Sequence, residues 1–176
     1  MDSAFFFTGD KESTLLLELR RGLDIPVIFV DTGLYAKELY DYLTLAEEHW
    51  GFRAIVLKDK KVVEESSASG TEECYKLLKE KIILPYLVKE GIFTLIEPLI
   101  FEKEIVKHGK ITHVSPLTGF SDLEIWQLIR DYNLIYCDLY NKGYRDVGCE
   151  PCSKAEAKTE VDQEEISRRL KALGYI

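Results

Sequence analysis

Apolar residues in this chain fall into short unbroken runs separated by stretches with a three-to-four-residue rhythm. Ala4 to Phe7 is an aromatic, β-prone run, Ile25 to Val30 gathers β-branched residues around Pro26, and Arg53 to Leu57 forms a third run. Continuous apolar runs of this length are the pattern of strands buried on both faces. Between them the period changes. Leu15 to Leu19 opens a helical pattern, and from Tyr35 to Trp50 the residues Leu39, Leu43, Ala46 and Trp50 recur at i, i+4, i+7 and i+11, with Gly51 as the stop. The order β, α, β, α, β predicts a parallel sheet covered by helices.

The second half is less regular. Lys58 to Lys61 with Glu64-Glu65 reads as a solvated loop or short hairpin, and Ser66 to Thr71 as a small-residue linker. A helix from Thr71, with Leu77 and Leu78, is expected to be interrupted by Pro85. Ile92 to Ile96 reads as a strand and Pro98 to Ile105 as a second short apolar segment. Ser121 and Glu124 form a capping-box signature for a helix that places Ile125, Ile129 and Tyr132 on one face, with Asn133 as a left-handed stop. A last helix opens at Asp162 and Glu165, with Ile166, Leu170 and Leu173 as its buried stripe. The fold class expected is α/β, three-layer, with a mostly parallel five-stranded sheet and helices on both faces, in a single domain over residues 1–176.

Composition narrows the function classes. With 46% hydrophobic and 31% charged residues the chain has the make-up of a folded domain, and its net charge of −8 argues against general nucleic-acid binding. A local basic site for a small anion remains open. No stretch approaches the roughly 18 apolar residues that span a bilayer, and Phe5 to Phe7 is too short for a signal peptide; a cytoplasmic protein is expected. Four cysteines in such a chain read as buried apolar residues, metal ligands or redox thiols rather than a disulfide framework.

Three segments are candidates for chemistry. Thr8-Gly9-Asp10-Lys11-Glu12-Ser13-Thr14 follows a strand and opens a helix, which turns backbone amides and a helix N-terminus toward an anion. It is not the Walker pattern, and a polar turn capped by Thr8 or Asp10 explains the same residues. Asp31-Thr32-Gly33 ends a buried strand, where α/β sheets place their ligand crevice; Asp31 as a helix cap is compatible with that role. Cys149 and Cys152 form a Cys-x-x-Cys. They suit a metal or cluster, a redox pair, or a structural turn, while Cys74 alone is an ordinary buried thiol.

Pro116-Leu117, Phe120 to Trp126, and Leu139-Tyr-Asn-Lys-Gly-Tyr-Arg-Asp-Val-Gly-Cys-Glu-Pro-Cys152 together resemble the closing part of the phosphoadenosine phosphosulfate reductase family. Gly9, Lys11 and Ser13 are similar to that family's Ser-Gly-Gly-x-Asp-Ser pyrophosphate loop, with Thr8 and Glu12 as mild departures and Asp10 in place of its second glycine. Val30 to Leu39 is similar to the segment that lies beside bound adenosine. The resemblance implies an adenine nucleotide-binding α/β fold handling ATP or an adenylyl compound with Mg²⁺. Lys11 and Ser13 would hold pyrophosphate, Asp31, Thr32 and Gly33 would line the nucleoside or metal site, and Arg145 would meet the remaining charge. The adenylyl sulfate branch adds an iron-sulfur cluster on a Cys-Cys pair and a later Cys-x-x-Cys. Glu73-Cys74 stands where the pair would be, 75 positions before Cys149. Iron-sulfur or zinc on Cys74, Cys149 and Cys152 would then need a fourth ligand, open among Cys137, Glu73, His108 and His113.

Two departures bear on activity. The family's substrate-gripping Gly-x-Arg is replaced by Glu97-Pro98-Leu99, and no arginine occurs between Arg53 and Arg130, leaving Lys103, Lys107 and Lys110 as point charges. No cysteine follows Cys152, so reduction by a tail thiol is not expected. Nucleotidyl transfer or pyrophosphate release is the expectation, the alternatives being a non-catalytic nucleotide- or metal-binding subunit and a thiol-redox protein. The partner expected is a small-molecule nucleotide, with a homo-oligomer or partner subunit open.

Overall fold

The protein is described by a computed structural model covering residues 2–67, 71–100, 105–150 and 153. Strand β1 (Ser3–Phe6) leads through a tight loop into helix α1 (Lys11–Leu19), then β2 (Val27–Val30), α2 (Lys37–Trp50) and β3 (Ile55–Leu57). Helices α3 (Lys60–Ser67), α4 (Thr71–Leu78) and α5 (Leu84–Glu90) follow, and the strands resume with β4 (Thr94–Ile96), β5 (Ile105–His108) and β6 (Ile111–Val114) before α6 (Asp122–Asp131). The sheet order is β3-β2-β1-β4-β6-β5, parallel throughout except for β5, which runs antiparallel to β6 at the edge. The mostly parallel α/β expectation holds, with six strands instead of five. Neither β5 nor β6 was read as a strand, and Ile105 on β5 is exposed at the edge.

Alternation along the central strands builds two cores. Phe5, Phe7, Val27 and Phe29 face α1, α2 and α6, where Leu15, Leu39, Tyr42, Ala46, Ile125 and Ile129 meet them. Ala4, Phe6, Ile28 and Val30 face the other way, onto Val62, Cys74, Leu78, Ile83 and Leu87. A strand that buries both faces has no polar phase, which is why β1 and β2 read as solid apolar runs.

Several sequence expectations are corrected here. Lys60 to Ser67 is a helix rather than a solvated loop: the Asp59 carboxylate accepts from the amides of Lys61 (3.0 Å) and Val62 (3.1 Å), and Val62 and Val63 are buried. Pro85 does not stop the helical run. A π turn over Lys79–Ile83 separates α4 from α5, which places Pro85 in the first turn of α5, where its missing N–H costs no bond. On α6 the capping box forms as read and Asn133 is left-handed at φ 50°, but Tyr132 is exposed while Ile125 and Ile129 are buried. The expected last helix lies outside the described residues. Among the described residues no helix is long and apolar enough to cross a membrane.

Candidate functional site

The chain runs outward from β1 to β3 and then returns to the far side of β1 with β4, so strand order reverses between β1 and β4. In sheets of this type the crevice at the carboxyl ends of those strands takes the ligand. A cavity of about 630 Å³ opens there, lined by Asp10, Lys11, Glu12, Ile100, Asp122 and Arg145 among others.

The loop from β1 to α1 forms its floor. Gly9 turns at φ +82°, and a Cβ there would lie 3.1 Å from Leu39 Cγ, so both conformation and contact call for glycine. Gly9→Ala is expected to cost about 1–3 kcal/mol in urea unfolding. Asp10 is the N-cap of α1, its Oδ1 accepting from the Ser13 amide at 2.7 Å, with the Thr8 hydroxyl beside it. The Ser13 hydroxyl donates to the Asp10 carbonyl (3.0 Å) and accepts from the Gly9 amide (3.1 Å). The Lys11 side chain is only 2% exposed, and its ammonium lies 3.0 Å from both Glu12 Oε1 and Asp122 Oδ1, while its amide donates to the Tyr140 hydroxyl at 2.9 Å. Burial pulls that ammonium down, but Glu12 and Asp122 outweigh it and hold Lys11 above its ordinary range. Burial also pushes the Asp10 carboxyl up. For Glu12, burial and the neighbouring Asp10 raise the value from 4.5 to about 7.

A second cavity, about 400 Å³ and largely apolar, lies at the carboxyl ends of β2 and β3 between Asp31, Thr32, Leu34, Lys58 and Val63. Asp31 does not cap α2, whose N-cap is Ala36. Its Oδ1 accepts from the Gly33 amide (2.8 Å) and the Tyr40 hydroxyl (2.7 Å), and its Oδ2 from Lys58 Nζ (2.5 Å). Burial opposes the Asp31 charge, yet Lys58, Tyr40 and Gly33 hold the carboxyl below its ordinary range. With three protein donors already engaged, Asp31 fits an anchoring role better than that of a metal ligand. Lys58 was missed in the sequence, although it ends β3 just as Asp31 ends β2, and that rule would have found it.

The remaining candidates are distributed over the fold. Arg145 reaches the first cavity together with Asp146. Cys149 pairs in a single antiparallel bridge with Tyr35, and the Glu150 amide donates to the Leu34 carbonyl at 2.7 Å, which lays this segment against the Asp31 loop. Cys74 and Cys137 belong to the two opposite cores, so one cannot complete a site with the other. Cys152 and Lys103 lie outside the described residues, and among the described residues no three His, Cys, Asp or Glu side chains converge on a metal position. The described residues thus form no closed cluster site.

Glu97, where the family's Gly-x-Arg was expected, turns away from the crevice. It is wholly buried, accepting from Tyr75 Oη at 2.7 Å and meeting His113 Nδ1 at 2.6 Å and Lys79 Nζ at 3.3 Å. Pro98, Leu99 and Ile100 then give the first cavity an apolar wall.

This α/β architecture aligns with several solved structures. The phosphoadenylyl-sulfate reductase of Candida auris, a phosphate complex, superposes with a TM-score of 0.73 at 14% identity, covering 88% of this chain and 84% of that one. The FMN adenylyltransferase of Candida glabrata in complex with ATP gives 0.61 at 14% identity over 96% of this chain and 71% of its own. In sequence, the adenosine 5'-phosphosulfate reductase of Geobacillus thermodenitrificans is 26% identical over 147 residues, 74% of this chain. Residues 97–155 match the phosphoadenosine phosphosulfate reductase domain. That segment therefore carries a phosphoadenosine phosphosulfate reductase domain match, and the chain is distantly similar to the adenosine 5'-phosphosulfate reductases. It spans 41% and 63% of the lengths of the first two curated relatives it matches.

Proposed function

We propose that the protein binds an adenine nucleotide across the carboxyl ends of β1 and β2 and acts at its phosphate chain, by nucleotidyl transfer or pyrophosphate release. The observation that carries this reading is the pairing of two cavities of different character on one edge of the sheet. One is apolar and braced by the Asp31, Lys58 and Tyr40 contacts, as a nucleoside requires; the other holds the helix start, Lys11 and Arg145, as phosphates require. Lys11 and the α1 amides would hold the β- and γ-phosphates, and Arg145 at the mouth would meet charge that develops on the leaving group. The relatives named above include a reductase and an adenylyltransferase. The acceptor would enter against the apolar wall of Pro98 to Ile100.

The test is thermal stabilisation of protein purified without oxygen against Mg-ATP, adenylyl sulfate, its 3′-phosphorylated form and buffer. A ligand at about one hundred times its dissociation constant is expected to stabilise by about 2.7 kcal/mol. Absence of any shift with all three nucleotides would sink the reading and favour a non-catalytic subunit, for which the Asp10 carboxylate on the Ser13 amide is the supporting observation.

A further inference from the structure

At the start of α1 the donors that would face a phosphate are already engaged within the protein. The Gly9 amide serves Ser13 Oγ, the Lys11 amide Tyr140 Oη and the Ser13 amide Asp10 Oδ1, while the Lys11 ammonium is held between Glu12 and Asp122. The Asp10 carboxylate therefore stands in for the anion that a helix N-terminus attracts. The groups facing this point from every packed element are Asp10, Lys11 and Glu12 on α1, Asp122 at the start of α6, and Tyr140, Arg145 and Asp146 from the segment after it. Tyr42 on α2 joins them through Thr14, 2.6 Å from its hydroxyl. Four carboxyls against two cations make the cradle net negative when all are ionised, and a polyphosphate is repelled.

Resting on the nucleotide reading above, we propose that anion binding here is coupled to proton uptake: the phosphate chain enters as Glu12 becomes protonated and releases Lys11 to it. The geometry supplies the exchange, because the Glu12 carboxylate occupies the Lys11 ammonium that the phosphate needs. Burial supports it, since Glu12 titrates near neutrality and Asp10 is raised in the same direction. Tyr140 and Tyr42 are pushed further up by burial and stay neutral, and Lys11 stays charged. The sign follows from linkage. Below about pH 7 the free protein already carries the Glu12 proton and affinity is flat; above it the complex must take up a proton, and affinity falls about tenfold per pH unit.

Calorimetric titration with Mg-ATP in steps from about pH 6 to about pH 8.5, with uncharged adenosine as the control ligand, tests this. The result expected is an about fivefold loss of Mg-ATP affinity between about pH 7 and about pH 8, with net proton uptake read from buffers of different ionisation enthalpy and no pH effect on adenosine. Glu12→Gln should flatten the profile and bind Mg-ATP at least tenfold more tightly at the alkaline end. Asp10→Asn, which keeps an acceptor for the Ser13 amide, should tighten binding in the same sense. Equal Mg-ATP affinity at every pH, or a Glu12→Gln profile as steep as the natural one, overturns the coupling and leaves the nucleotide reading standing. Adenosine binding with no Mg-ATP advantage in either variant does the same. Failure of both ligands to bind the natural protein and both variants at every pH overturns the two together.

Discussion

Replacing Glu97 with alanine is expected to destabilise the protein by on the order of 3–5 kcal/mol, the cost of breaking a buried ion pair from one side. The carboxylate is 0% exposed and is the common acceptor for Tyr75, Lys79 and His113, the last two carried by the π turn and β6. Without it, a largely buried ammonium loses its counter-charge and a buried imidazole loses its partner. Burial opposes the Glu97 charge, but His113, Lys79 and Tyr75 outweigh that and hold its carboxyl below the ordinary range. A depressed carboxyl contributes stability that is fully present above about pH 4.5 and is lost as pH falls through the folded value. The alanine variant should therefore differ most from the natural protein at neutral pH and converge with it in acid. Urea unfolding measures this directly, and a loss under about 1 kcal/mol at pH 7 would mean that water reaches these charges.

Lys11→Met should also lose its deficit toward acid, but over a higher pH window. Removing the ammonium strands Glu12 beside Asp10 in a site with little solvent, at an expected cost of about 3 kcal/mol when both are ionised. Glu12 has a raised value, so its protonated form is the one the fold accommodates, and that contribution is lost as pH rises from 4.5 through about 7. The methionine variant should be weakest above pH 7 and recover most of the deficit by about pH 5.5, as the carboxyls take up protons. Melting temperatures of the two proteins across this range would decide it. A deficit that stays constant with pH would place the cost in packing of the lysine stem instead.

The sequence disclosed what is local and periodic. Phe5 to Phe7 and Val27 to Val30 announced the central strands because both their faces are buried, and Ser121 with Glu124 announced the start of α6 through a motif complete within four residues. Asp10 was legible both as a departure from a glycine and, beside Thr8, as a candidate cap, and the structure gives the cap to Asp10 on the Ser13 amide. The Glu97 and His113 contact is less accessible still, because it follows from the parallel register of β4 on β6, where Ile96 pairs with Val114. Helix α3 was lost to its charges: four lysines and acids hid Val62 and Val63, and Asp59 as a cap carries no periodic signal. Tyr140 read as one aromatic among several, and only the closed fold brings its hydroxyl to the Lys11 amide, 129 positions away.

The π turn over Lys79–Ile83 is the form a helix takes when one residue has been inserted and the winding on either side has kept its phase. Leu78 and Ile82 before its end and Leu87 beyond it all remain on the buried side. That makes the turn a length buffer. Taking one residue out within it would restore ordinary winding and leave Leu87 pointing inward. The same deletion in α4 or α5 would swing every later side chain by about 100° and bring the exposed phase, with Val88, toward the core. Single-residue length changes in this helical stretch are therefore tolerable in one place, and that place also positions the lysine that meets Glu97.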